Sequence, residues 1–212
     1  MPPANLRRRR ALADAAIALL AEEGAHGLTH RAVEARAGVP AGTATNYARN
    51  REALLIAAAE RVLELHFADM AAATAASAVD PAQGTADGTD PAPRRTTSAH
   101  DLAEILADSL WTAATELRER YLAVFELQLE ARRRPALAAV LARLGATALA
   151  DTAGLHDEMG TGVPEAAVSV LISLYSGTLF NLVTLPADLL DRERVRTLAE
   201  AMVRGALTGG GA

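Results

Sequence analysis

A chain of 212 residues that is half hydrophobic, yet holds only one tryptophan, three tyrosines and three phenylalanines, has few ways to fold. Alanine and leucine supply most of its apolar surface. Both rank at the top of helix propensity, whereas strands draw on β-branched and aromatic side chains. The expected fold class is therefore all-α. The length allows one or two domains and a sizeable core. Cysteine is absent, which removes disulfides, thiolate nucleophiles and thiolate metal sites together. That suits a reducing compartment, and the expected localisation is cytoplasmic.

Apolar periodicity and its punctuation divide the chain into nine helices. Leu12, Ala15, Ala16 and Leu19 recur at helical spacing in a first helix over 6–23, which Gly24 and Gly27 end. Thr29 caps a second helix to Arg36, because its hydroxyl can accept an orphan backbone N–H. Gly38 breaks that helix, and Pro40 fits the first turn of a short third helix to about Tyr47. Asn50 caps a long fourth helix to about Ala76, with Glu52 in its first turn complementing the helix dipole. Val79–Thr97 is rich in Pro, Gly, Asp and Thr and reads as a flexible loop. Ser98 and Asp101 form a capping-box-like start to a helix ending near Ala114. Further helices cover 116–133, 135–156, 164–185 and 187–207. The division expected from this pattern is a first domain over 1–51 and a second over 52–212.

The net charge of −5 argues against a polyanion partner, but its distribution does not. Up to Val62, nine arginines face six acidic residues, a surplus of three that leaves the remainder at −8. A basic end on an acidic body suits a protein that presents that end to nucleic acid. Two short helices joined by a glycine turn, after a longer helix, match a helix-turn-helix unit. Ala32 and Ala37 allow close helix approach, Gly38 takes the tight turn, and Val39 packs inward. Pro40, Ala41, Gly42, Thr43, Thr45, Asn46 and Tyr47 would then lie in the major groove. Small residues let the backbone approach, and hydroxyl and amide groups can reach base edges or phosphates. Thr29, His30 and Arg31 at the head of the second helix, and Arg51 at the head of the fourth, are candidate DNA contacts as well. The run Arg7–Arg10 is either an arm reaching the minor groove or a solvated helix start.

The stretch GLTHRAVEARAGVPAGTATNYARNREALL, Gly27–Leu55, resembles the signature of TetR-type transcriptional regulators. The likeness lies in Thr29, Ala37-Gly38-Val39, Gly42-Thr43, Thr45-Asn46-Tyr47 and Arg51-Glu52-Ala53-Leu54, and it covers the first quarter of the chain. The resemblance implies an N-terminal three-helix helix-turn-helix domain, joined by a long fourth helix to a C-terminal helical domain for ligand binding and dimerisation. It implies a repressor that binds a pseudo-palindromic operator in double-stranded DNA as a homodimer and is released by a small-molecule effector. Two positions depart from the family pattern. Ala48 stands where members usually carry a phenylalanine that packs the third helix against the first and fourth. Loss of a buried ring costs ~3–5 kcal/mol where the site cannot collapse, so an underfilled core is expected unless Tyr47 swings in. Thr45 stands where tyrosine is frequent, which alters the base or phosphate contacts. The alternative reading is a helical dimeric interaction or architectural protein with weak or no specific DNA binding.

From Glu52 onward the residues carry no catalytic or metal motif. His26, His30, His66, His100 and His156 are scattered, with no pair at metal-ligand spacing. No glycine-rich phosphate loop is present, and Glu126 and Glu130 sit near arginines as an ion-pair face. The chain is expected to be no enzyme and to need no cofactor or metal. For the effector pocket that the resemblance implies, the candidate lining residues are Trp111, Phe125 and Tyr175, with polar Gln128 and Asn181. Plain core packing is the competing reading for each. Residues 166–185 are uncharged and long enough to span a bilayer. They also carry Ser169, Ser173, Ser176, Thr178, Asn181 and Thr184, a polar density better suited to burial between protein surfaces, so no membrane is expected. With the last helix, this one is expected to form a four-helix bundle across a dimer axis.

Overall fold

The computed structural model describes residues 3–79 and 97–208, and every regular element among them is helical. In chain order these are α1 (Pro3–Gly27), α2 (His30–Ala37), a 3-10 turn (Ala44–Asn46), α3 (Arg51–Val79), α4 (Ala99–Thr115) and α5 (Arg118–Ala131). They continue with α6 (Pro135–Met159), α7 (Glu165–Thr184), a second 3-10 turn (Ala187–Leu189) and α8 (Arg192–Thr208). The expected loop over 79–97 lies, apart from its two ends, outside the described residues.

The caps read from sequence form. Thr29 accepts the Ala32 N–H at 3.1 Å and Asn50 accepts the Ala53 N–H at 2.9 Å. Ser98 and Asp101 exchange both bonds of a capping box. Three elements differ from expectation. The first helix starts at Pro3, so Arg7–Arg10 lie in its body and form no free arm, and it is broken at Gly24 by a residue with φ 68°. The third helix contracts to one 3-10 turn. Gly42 at φ 84° leaves helical space, the Thr43 hydroxyl turns back to the Pro40 carbonyl at 2.6 Å, and only Ala44–Asn46 remain coiled. The last helix begins late, because Pro186 starts a separate turn and the Asp191 carboxylate takes the Glu193 N–H at 3.1 Å. Nine expected helices thus become eight α-helices and two 3-10 turns among the described residues.

Two large hydrophobic cores organise the molecule, with a small third cluster of Leu102, Ala103 and Val203. The first gathers Leu12, Leu19 and Leu20 of α1, Leu28, Val33, Ala44 and Ala48, the first half of α3, and Ala123, Leu127, Leu137 and Val140 of α5 and α6. Residues on both sides of position 51 therefore share one core. The second gathers Leu110 of α4, Leu171, Leu179 and Val183 of α7, and Val195, Ala199 and Met202 of α8. α5 belongs to both, with Ala123 and Leu127 facing the first, and Tyr121, Leu122 and Phe125 facing the second. Each leucine buried there contributes roughly 1.5–3 kcal/mol. That makes α5 the physical joint between the two halves.

Candidate nucleic-acid interface

The helix-turn-helix is held by bonds to backbone carbonyls and amides as well as by its apolar core. At the end of α2, Gly38 adopts a left-handed conformation at φ 65°, and the Val39 N–H bonds the Glu34 carbonyl at 3.1 Å. The chain reverses there because only glycine takes that conformation without strain. Glu34 is itself buried, and its carboxylate accepts the Ala44 N–H at 2.8 Å. This bond ties α2 to the 3-10 turn, and the sequence reading missed it. The available signal was a charged residue beside Val33 on the inward side of a short helix. His30 Nε2 donates to the Ala48 carbonyl at 2.6 Å and pins the other end of the same segment.

Arg51 also turns inward. Its guanidinium donates to the Leu28 carbonyl at 3.2 Å and to the Ala25 carbonyl, both at the α1–α2 junction. On the far side of that junction, the Ala25 N–H donates to Glu126 of α5 at 3.0 Å. Gly24 takes φ 68°, which residues with a side chain rarely adopt, and a Cβ there would also lie 3.3 Å from the same carboxylate, so the helix break sits at a glycine. Of the candidate DNA contacts, His30 and Arg51 are thus engaged within the protein. Thr29, Arg31, Pro40, Ala41, Gly42, Thr45 and Asn46 are exposed, and Thr43 and Tyr47 are half-buried. Exposed Arg49, next to the recognition turn, joins them and was not among the sequence candidates.

α1 and α3 are cross-tied by Arg9–Glu60 at 2.7 Å, Arg10–Glu64 at 3.2 Å and Arg61–Asp14 at 2.7 Å. Burial alone would raise the Glu64 carboxyl, but hydrogen bonds and charge from Arg61 and Arg10 more than offset it and hold it below the ordinary range. Such exposed pairs are worth at most ~1 kcal/mol each, so they set helix spacing more than stability. Ala48 is buried, Tyr47 packs half-buried against the first core, and a cleft of about 440 Å³ lined in part by both opens beside them.

In the C-terminal half the five pocket candidates divide between core and surface. Trp111, Phe125 and Tyr175 pack against the second core, whereas Gln128 and Asn181 are exposed. Alanine-rich helices approach closely, so the few rings are used to fill the space between them. Phe125 meets Phe180 edge to face at 5.0 Å, and the Arg192 guanidinium lies 5.4 Å from the Trp111 ring centre. The Tyr175 hydroxyl bonds Ser109 at 2.8 Å, and burial pushes its pKa well above the usual tyrosine range. Asn181 donates back to the Gly177 carbonyl of its own helix at 2.9 Å. A cavity of about 580 Å³ lies instead between Leu149 and Ala153 of α6 and Val168 and Ser169 of α7. Buried His156 bonds Thr161 at 2.8 Å, and desolvation holds its pKa below 6.5. No group of three His, Cys, Asp or Glu side chains converges among the described residues.

α7 presents two faces. Leu171, Leu179, Leu182 and Val183 point inward, while Val170, Leu174, Gly177 and Phe180 are exposed. By length and composition alone, α6 and α7 are both apolar enough to cross a membrane.

Comparison with known proteins agrees with this architecture. Residues 12–58 match the family described as bacterial regulatory proteins, tetR family, and residues 97–209 match the tetracyclin repressor-like C-terminal domain. A transcriptional regulator from Rhodococcus sp. Rha1 superposes with a TM-score of 0.69 at 19% identity, covering 95% of this chain and 96% of that one. A TetR-family member from Streptomyces coelicolor A3 superposes at 0.59 with 26% identity, covering 92% and 97%. The multidrug binding protein EbrR, solved in complex with imidazole, superposes at 0.56 with 26% identity, covering 92% and 94%. A search of curated proteins returns no match. With matched regions at both ends and one helical plan throughout, the chain belongs to the TetR family of transcriptional regulators.

Proposed function

We propose that this regulator is a cytoplasmic repressor that binds a pseudo-palindromic operator as a homodimer and leaves it when a small molecule binds the C-terminal half. The observation that carries the reading is the recognition segment. Pro40, Ala41, Gly42, Thr45 and Asn46 are exposed on a turn whose two ends are fastened by Glu34 and His30. A fastened turn with small, hydroxyl and amide side chains can lie close to base edges, and Thr43 and Tyr47 extend the same surface. Exposed Thr29, Arg31 and Arg49 supply phosphate contacts. His30 and Arg51 act by holding the turn and the α1–α2 junction.

The uncharged outward face of α7 supports the dimer. Val170, Leu174, Gly177 and Phe180 would be covered by a second copy and not by lipid. A two-fold axis there matches the symmetry of a palindromic site, whose half-sites repeat every ~34–36 Å. Likeness to a multidrug binding protein supports an organic effector. Its entry beside Trp111, Phe125 and Tyr175, with Gln128 and Asn181 at the surface, would reach the DNA-binding end through α5, which spans both cores.

The test is a gel-shift series on the promoter regions flanking the gene, with salt varied. A repressor of this kind prefers one palindromic duplex, and its affinity falls steeply with salt as arginine–phosphate contacts displace counterions. No preference over random DNA would instead favour a helical dimeric interaction protein. Quenching of Trp111, the chain's single tryptophan, reports effector entry.

A further inference from the structure

We propose that the DNA-binding end carries a small-molecule site of its own: the cavity beside Ala48, which takes one uncharged aromatic ring system. Its volume is about 440 Å³, bounded by Leu12, Ala13 and Ala16 of α1, Ala48 behind the recognition turn, and Leu54 and Ala57 of α3. The space is a cleft open to solvent on one side, and its volume admits a bicyclic ring laid against the apolar wall. Alanine methyls and leucine side chains form walls suited to the faces of a flat ring, and they offer it no polar atom. The rim is different. Asn46 and Tyr47 stand there, and among the described residues the Tyr47 hydroxyl meets Asn5 at a long 3.5 Å. One ring N–H or O–H can be met at that edge, which is the usual division between an apolar lining and a few placed polar groups.

Two further observations define the occupant. Arg9 and Glu60 stand at the cavity and are paired at 2.7 Å, so the two charges there cancel. A charged ligand would lose hydration without gaining a partner, whereas an uncharged ring loses little. The walls are also fixed independently of one another. Glu34 holds Ala44, His30 holds Ala48, and the Arg9–Glu60 and Arg61–Asp14 pairs set the spacing of α1 and α3. Collapse onto the space would break several of these at once. Where the DNA-binding reading holds, ligand and DNA affinities are linked reciprocally, because the site lies directly behind the recognition segment.

The experiment uses the full chain without DNA, so its outcome is independent of that reading. The isoleucines are Ile17, Ile56, Ile105 and Ile172, and Ile56 lines the cavity. Isoleucine δ1-methyl NMR is followed while indole is added. The expected result is a saturable shift at Ile56, with Ile105 and Ile172 of the C-terminal half unmoved. Ala48→Phe should plug the space and weaken this binding by at least roughly tenfold. Ala57→Leu, which enters from α3 and leaves the recognition segment intact, should do the same and decides the matter if Ala48→Phe fails to fold. An Ile56 signal that stays fixed to the solubility limit of indole overturns the proposal. So does wild-type affinity in the folded plugged variants.

Discussion

Glu34 gives the sharpest test of how this helix-turn-helix is built. The carboxylate is buried and accepts the N–H of fully buried Ala44 at 2.8 Å. A hydrogen bond to a charged group contributes roughly 1.5–3 kcal/mol, and the donor left behind has no access to water. Glu34→Ala should therefore cost about 2–3 kcal/mol, the stranded amide being the larger part. For a protein of this size, each kcal/mol lowers the melting temperature by ~2–4 °C, so a drop of roughly 5–10 °C is expected. Glu34→Gln keeps an acceptor oxygen in place but removes the charge, and should lose about half as much. Scanning calorimetry at neutral pH on both variants, with exposed Glu158→Ala as control, reads this directly. The DNA affinity of Glu34→Ala should fall with it, because the recognition turn loses one of its two fastenings. If Glu34→Ala melts within about 1 °C of the wild type, the claim that this bond organises the turn is wrong.

Other outcomes follow from the same geometry. Arg31→Ala should reduce the salt slope of DNA binding by about one unit, whereas Arg51→Ala should lower the melting temperature and leave the slope unchanged. The reverse pattern would return Arg51 to the phosphates. Ala48→Phe should raise the denaturation midpoint, with a ceiling of ~1.5–3 kcal/mol for burying a ring in unstrained space. A loss of stability would show that the space is not there in solution. His156 titrates at 6.5 when unfolded and lower when folded, because burial disfavours its charge. The unfolded chain therefore binds the extra proton first, and stability falls as pH drops from about 6.5 toward the lower folded value. His156→Gln should flatten that part of a melting-temperature–pH curve. Leu174→Arg on the exposed face of α7 should convert a dimer to a monomer in sedimentation equilibrium.

The legible parts were those written in local chemistry. Thr29, Asn50 and the Ser98–Asp101 pair cap helices because a side chain reaches an N–H three residues away, and no tertiary information is needed. Alanine and leucine with scarce aromatics imply helices, and the Gly27–Leu55 stretch carries the family in its residues. Ala48 is an alanine where the family resemblance leads one to expect a ring, and in the structure it is buried beside a cleft. Tertiary contacts decided most of the rest. Arg51 and His30 are polar residues at plausible DNA-facing positions, and only packing shows that carbonyls of Ala25, Leu28 and Ala48 claim them first. Glu34 reads as an ordinary charged helix residue until Ala44 arrives beside it. The third helix shortened because Gly42 and the Thr43–Pro40 bond favour a turn, with no large side chain anchoring another coil. Trp111, Phe125 and Tyr175 were drawn into the second core by helices that close tightly around few rings, leaving Gln128 and Asn181 at the surface. The sequence by itself determined the helices, their caps and the family. Which polar side chains stay free for DNA, and where the cavities fall, was decided by the tertiary structure, because both depend on which distant backbone atoms a side chain meets.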